Sequence, residues 1–287
     1  MSTIVDAHRA SGSFFEADGT RSFRLDEGEG DPVLLMHGAP ASSFLYRKVT
    51  PALARRGLRG IAIDLPGFGL ADRPEDFDYS WTGLGRFVAA SVQALGLQRF
   101  HLVVHDLGGP VGFEMAARVP ERIASLTILN TVIEVDDFER PWPMAPLALP
   151  VVDRMWITQM KFRPVFRMLM RAHGIEDGSK ISSEELNAYL DLMFGDDNAR
   201  AFLKIMKSFE LTADKSTLYR GIVSSDRYPT QVVWGDKDPA LPYARYGRVA
   251  ERLTSTTATK VPARHFLQED QYDALADAIA RIASVET

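Results

Sequence analysis

The chain has 287 residues, 46% of them hydrophobic and 25% charged, with a formal net charge of -5 and no cysteine. That length suffices for a substantial core in one large domain, or a domain with an insertion, and the ordinary composition argues against wholesale disorder. The acidic balance supplies no basic footprint for nucleic acid or an anionic membrane, the absent cysteines exclude disulfides and thiolate-metal sites, and neither a leader-like N-terminus nor an apolar run near the roughly 20 residues of a membrane span is seen, so a cytoplasmic protein is expected.

In chain order, short runs from Gly12 to Gly19 and from Ser22 to Leu25 flank an Asp18-Gly19 turn and predict an opening hairpin. Pro32-Val33-Leu34-Leu35-Met36 is continuously apolar, as in a strand covered on both faces, and runs into a His37-Gly38-Ala39-Pro40 loop. A helix through Phe44, Tyr46, Val49 and Leu53 precedes a second apolar strand, Gly60 to Ile63, which ends in Asp64-Leu65-Pro66-Gly67-Phe68-Gly69. A helix near Thr82 to Leu95 then leads to a strand ending at His105, and another strand spans Leu126 to Asn130. This alternation predicts an α/β, mostly parallel, doubly wound sheet whose site lies at the strand carboxyl ends.

The rhythm breaks after Thr131. Residues 134–217 carry helical patterns rich in Met, Phe and Leu, with Pro141, Pro143, Pro146 and Pro150 near the entry. A helical cap over 134–217, inserted after the sixth strand into a core made of 1–133 and 218–287, is expected to exclude water and shape a pocket. The cap residues Trp142, Trp156, Phe162, Phe166, Met168, Met170, Met193 and Phe194 read chiefly as packing. The core resumes with a strand at Pro229 to Trp234, another near Thr257 to Val261, and a closing helix from Gln271 to Ala283.

Chemistry concentrates where Val104-His105-Asp106-Leu107-Gly108-Gly109 passes from strand through a tight turn into a helix. Small-x-nucleophile-x-small is the elbow that raises a reactive side chain at the top of such a sheet, and Asp106 stands where serine is usual. Gly108 fits the pattern well, whereas Val104 is a poorer fit than glycine. A carboxylate needs no base for its own attack and displaces a leaving group from an sp3 carbon to give an alkyl ester. Water must then break that ester, which requires a base and an oxyanion hole. A capping Asp is the plainer alternative. The amides of Ala39 and Leu107 are the candidate oxyanion donors, both Asp236 and Asp238 are candidates for an acid that orients a histidine, and His265, after the last strand, is the candidate base. His37 and His105 are expected to shape their loops by hydrogen bonding.

The chain resembles the α/β-hydrolase superfamily members with an aspartate nucleophile, the epoxide hydrolases and haloalkane dehalogenases. The resemblance rests on His37-Gly38-Ala39-Pro40, Asp64-Leu65-Pro66-Gly67-Phe68-Gly69, His105-Asp106-Leu107-Gly108-Gly109, Gly235-Asp236-Lys237-Asp238 and His265-Phe266-Leu267-Gln268-Glu269. It implies an Asp106, Asp238, His265 triad, with Asp238 rather than Asp236 as its acid, acting without metal or organic cofactor. Haloalkane dehalogenases usually carry tryptophan after the nucleophile, and many add asparagine after His-Gly, whereas Leu107 and Ala39 have no side-chain donor. The arginine that fluoroacetate dehalogenases carry after the nucleophile is absent too.

Thr217-Leu218-Tyr219-Arg220 is similar to the segment that supplies a cap tyrosine in epoxide hydrolases, with Tyr189 as a candidate partner, while Trp142 or Trp156 would have to serve a departing halide. The leading expectation is therefore epoxide hydrolysis through an ester on Asp106, with haloalkane dehalogenation as the alternative and a slow or non-catalytic ligand-binding receptor as the reading from another class. The expected partners are a small apolar substrate and water, in a monomer or homodimer.

Overall fold

The computed structural model describes residues 3–285. Eight strands form one sheet: β1 (Ser13–Ala17), β2 (Thr20–Glu27), β3 (Asp31–Met36), β4 (Leu58–Ile63), β5 (Phe100–His105), β6 (Ile123–Leu129), β7 (Thr230–Gly235) and β8 (Thr259–Val261). Their order is β1-β2-β4-β3-β5-β6-β7-β8. β1 pairs antiparallel with β2, and β2 with β4, while every later pair is parallel.

Parallel crossovers put helices on both faces, so β5 is buried at every position even though it carries His101 and His105. Burial of Leu102, Val103 and Val104 stabilises the fold by roughly 1.5–3 kcal/mol apiece. His101 is accommodated by the Ser125 hydroxyl, 2.8 Å from its Nδ1. The opening hairpin turns through Asp18 and Gly19, both at positive φ, as a two-residue loop between twisted strands requires.

One local reading differs from the structure, and one element had no counterpart in the sequence reading. Residues Thr3–Ala10 form a helix that the polar N-terminal sequence did not suggest. The expected helix through Phe44 and Leu53 is split into a 3-10 turn, Ser43–Tyr46, and an α-helix, Val49–Ala54. Ser42 starts the first piece by accepting from the Phe44 N–H. Pro51, which has no N–H to donate, is tolerated in the first turn of the second.

Between β6 and β7 lie the α-helices Val152–Met160, Arg163–His173, Ser183–Phe194, Arg200–Lys207 and Ala213–Val223, with no strand among the described residues of that stretch. The last helix runs through position 217 without interruption, and its Tyr219 packs on Phe113 of the core helix Gly108–Ala116, ring centroids 5.5 Å apart. Its C-terminal half therefore rests on the sheet layer. Helix Ser183–Phe194 is started by a reciprocal Ser182–Glu185 capping box and tied to the core by Arg47, which donates to Glu185 and Glu269. No helix among the described residues is long and apolar enough to cross a membrane.

Candidate active site

Asp106 follows β5 directly and has φ +52°, the left-handed conformation that Asp tolerates better than bulkier residues. The surroundings hold it there: its N–H donates to Asn130 O at 3.0 Å, and its carbonyl accepts from the Gly109 N–H at 2.9 Å and the Thr131 hydroxyl at 2.6 Å. Val104 fits behind the elbow because the facing residue is Gly112, where a Cβ would lie 2.6 Å from Val104 Cγ1. The small side chain that the elbow needs has moved from the strand to the helix.

The loop after β3 brings a backbone donor to the carboxylate. Ala39 N–H donates to Asp106 Oδ1 at 2.7 Å, and the Leu107 N–H also bonds this group. Such an approach requires glycine at position 38, where a Cβ would stand 2.2 Å from Asp106 Oδ1. His37 fixes the loop from beneath: its Nε2 accepts from the Leu65 N–H at 3.1 Å, so Nδ1 carries the proton and donates to Gly38 O at 2.9 Å. Burial pulls His37 down to about 4, and it stays neutral near pH 7.

His265 lies with Nε2 3.4 Å from Asp106 Oδ2 and Nδ1 2.8 Å from Asp238 Oδ2. Asp238, buried in the loop after β7, accepts further bonds from Asn130 Nδ2 at 2.7 Å and from the amides of Ala240 at 2.7 Å and Leu241 at 3.0 Å. Asp236 is exposed, and of the two candidate acids it is Asp238 that meets His265. His105 is not part of this row. Its Nε2 donates to the His265 carbonyl at 2.9 Å, and burial, followed by the charge of His265, lowers it to about 4. It holds the His265 backbone.

Electrostatics follow from this geometry. Burial alone would raise the Asp106 carboxyl, but the hydrogen bond and charge of His265 outweigh it and bring the group down to about 2. Burial likewise opposes a charged His265, yet Asp238 and Asp106 together lift it to about 10. Asp238 is held below the usual carboxylate range against its burial by His265 and Asn130.

Asp106 and His265 open on a cavity of about 110 Å³ roofed by cap side chains including Leu147, Phe166, Met170 and Met193. Its only other polar lining residue is His173. The helical segment between β6 and β7 is tied to the His265 loop here, because His265 N–H donates to His173 O at 3.4 Å and Phe266 N–H to Gly174 O at 2.9 Å.

The four cap residues expected at the substrate are not among those lining this cavity. Tyr189 donates to buried Glu269 at 2.5 Å, and Tyr219 donates to Glu114 at 3.1 Å; burial first, then these acids, raises both phenols far above their ordinary value. Trp156 spends its N–H on Pro143 O at 2.9 Å, and Trp142 is 60% exposed. Phe162 and Met168, read as packing, are also exposed. Each hydroxyl answers to a nearby acid, and those acids lie 80 and 105 positions away in sequence. Asn130 and Thr131, which brace the acid and the elbow, were not singled out, although polar residues directly after a central parallel strand are a signal for a site.

Residues 31–272 match the family model for the alpha/beta hydrolase fold. The chain is 31% identical over 277 residues to haloalkane dehalogenase 2 of Mycobacterium tuberculosis, covering 93% of this chain and 92% of that protein. It is also 31% identical over 268 residues to the haloalkane dehalogenase of Psychrobacter cryohalolentis, covering 88% and 84%. The crystal structure of Cfl2 from Burkholderia cenocepacia shares the fold with a TM-score of 0.80 at 24% identity, covering 94% of each chain. The chain belongs to the α/β-hydrolase fold family, among its dehalogenase-like members.

Proposed function

We propose that the protein is a haloalkane dehalogenase that hydrolyses small apolar haloalkanes through an alkyl ester on Asp106. The observation that carries the reading is a carboxylate held low, near 2, at the floor of an apolar cavity, bonded by the Ala39 and Leu107 amides and facing His265. The relatives named haloalkane dehalogenases support it over epoxide hydrolysis. So does the engagement of Tyr189 and Tyr219 with Glu269 and Glu114, which leaves no cap phenol at the cavity for an epoxide oxygen.

In the first step an Asp106 carboxylate oxygen attacks the sp3 carbon. The C–O bond forms as the carbon–halogen bond breaks, and the halide departs with the bonding pair. Esterification removes the negative charge beside His265, so the base loses one of the two carboxylates that hold its proton and releases that proton to solvent. Neutral His265, oriented by Asp238, then takes a proton from water as the hydroxide adds to the Asp106 carboxyl carbon. The amides of Ala39 and Leu107 stabilise the resulting oxyanion. Collapse expels the alcohol, which takes the proton from His265, and leaves Asp106 as the carboxylic acid, whose proton then passes to His265 to restore the ion pair.

Intact mass of the His265→Gln variant, incubated with haloalkanes and with epoxides, tests this. The expected gain is the haloalkane less hydrogen halide, lost again when Asp106 is also changed to Asn. A gain equal to a whole epoxide, with none from any haloalkane, would overturn the proposal in favour of epoxide hydrolysis. No adduct from either class, in a folded protein that binds apolar ligands, would point to a receptor.

A further inference from the structure

Displacement at carbon releases an anion into a cavity with almost no polar lining, and an unsolvated anion there is costly, so a hydrogen-bond donor must meet it. Leu107 and Ala39 offer no side-chain donor. Among the described residues, the buried side-chain polar atoms without a partner are His8 Nδ1, Trp81 Nε1, His105 Nδ1, Thr230 Oγ1 and the two of Gln268. Of these residues, only Trp81 lines a cavity that also contains Asp106.

That second cavity, about 20 Å³, is walled by Trp81, Asp106, Leu107, Pro110 and Phe209 among others. It adjoins the larger one, sharing Asp106, Phe138, Met144 and Leu241. Its volume accommodates one sphere of about the size of a water molecule. Trp81 is 1% exposed and is the first residue of helix Trp81–Ala94, fixed by the Ser80 hydroxyl, which accepts from the Gly83 N–H at 3.1 Å. Its ring packs on Phe209, centroids 5.0 Å apart. The tryptophans Trp156 and Trp234 give their N–H groups to carbonyls, which leaves the Trp81 N–H as a buried donor with nothing to bind. Leaving such a group unpaired is costly unless a ligand uses it.

We propose that Trp81 donates its indole N–H to the departing halide, which the small cavity beside Asp106 and Leu107 receives. The inference rests on the dehalogenase reading and adds to it the residue that serves the leaving group.

The test is the rate of ester formation in the His265→Gln background, with and without Trp81→Phe, for chloro-, bromo- and iodoalkanes of one chain length. Loss of one donor to a developing anion lowers the rate by about 10²-fold, most for chloride, which accepts the strongest hydrogen bond, and least for iodide. An equal loss for all three halides, as a packing defect gives, or no loss, overturns the role of Trp81 and leaves the dehalogenase reading standing. Absence of ester from every haloalkane when Trp81 is intact overturns both. Should Trp81→Phe fail to fold, a bromide titration of the 15N-labelled wild type decides. The Trp81 indole resonance, assigned by elimination with the other three tryptophans changed singly to Phe, moves if it holds the halide, and its standing still refutes the assignment.

Discussion

Asp238→Asn preserves the size of the side chain but replaces a carboxylate oxygen with an NH2 group. All four partners of Asp238 are donors: His265 Nδ1 and Asn130 Nδ2 at Oδ2, and the Ala240 and Leu241 amides at Oδ1. Whichever way the new amide turns, two donors face a donor, and His265 loses a charge that holds its proton. In the free protein Asp238 and Asp106 together lift His265 from 6.5 to about 10 despite its burial. Once Asp106 is esterified, Asp238 alone orients and stabilises the imidazolium. Hydrolysis of the ester is therefore expected to fall by about 10²–10⁴-fold, the usual contribution of a positioned general base. Alkylation needs only the Asp106 carboxylate and should change less than about tenfold. Rapid-quench measurement of halide and alcohol separates the steps: the variant should release about one halide per site in a burst, with alcohol lagging far behind. Alcohol release within about tenfold of wild type would refute the orienting role, because a base contributing 10²-fold or more could not be lost so cheaply.

Halide release in the burst should be nearly flat from pH 5 to 9, because Asp106 titrates at about 2, whereas alcohol release should rise with pH until His265 of the ester loses its proton, below about 10; a burst that itself rises steeply with pH counts against a carboxylate nucleophile. Gly112→Ala should cost about 1–3 kcal/mol by overpacking against Val104, and less than about 1 kcal/mol in a Val104→Ala background. Urea unfolding of the four proteins in this cycle checks it, and equal costs in both backgrounds would refute the pairing. Tyr189→Phe and Tyr219→Phe should each leave haloalkane turnover close to wild type and lower unfolding free energy by about 1–2 kcal/mol through the lost bonds to Glu269 and Glu114. A large drop in turnover with unchanged stability would restore these phenols to the substrate.

The sheet was readable because β3 and β5 carry the short apolar runs Val33-Leu34-Leu35-Met36 and Leu102-Val103-Val104, too short for a buried helix and followed by turn residues, as in strands covered on both faces. The Asp106, Asp238 and His265 row was readable because each residue ends or follows a strand, where the backbone leaves no freedom about which edge it occupies. What could not be read were choices made across long separations by side chains with several possible partners. Tyr189 and Tyr219 have the residue type that an epoxide site needs, but whether a phenol meets substrate or carboxylate depends on Glu269 and Glu114, whose positions only the folded packing fixes. The same holds for Trp81, whose interest lies in a missing partner. The exchange between Val104 and Gly112 was within reach, since Gly112 lies on the helix that follows the elbow strand.

The bonds from His265 to His173 O and from Phe266 to Gly174 O tie the His173–Gly174 part of the cavity wall to the His265 loop. Substitutions near Met170 and Gly174 are therefore expected to shift His265 as well, since even a Cβ at Gly174 would stand 2.3 Å from Phe266. Misplacing a catalytic group by about 1 Å can cost about 10²-fold in rate. Met144 and Leu147 also line the cavity without a hydrogen bond to the His265 loop. Adaptation to bulkier substrates therefore has an inexpensive direction, through the proline-rich entry of the cap, and directed-evolution libraries divided between the two walls should recover active, broadened variants mainly from that side.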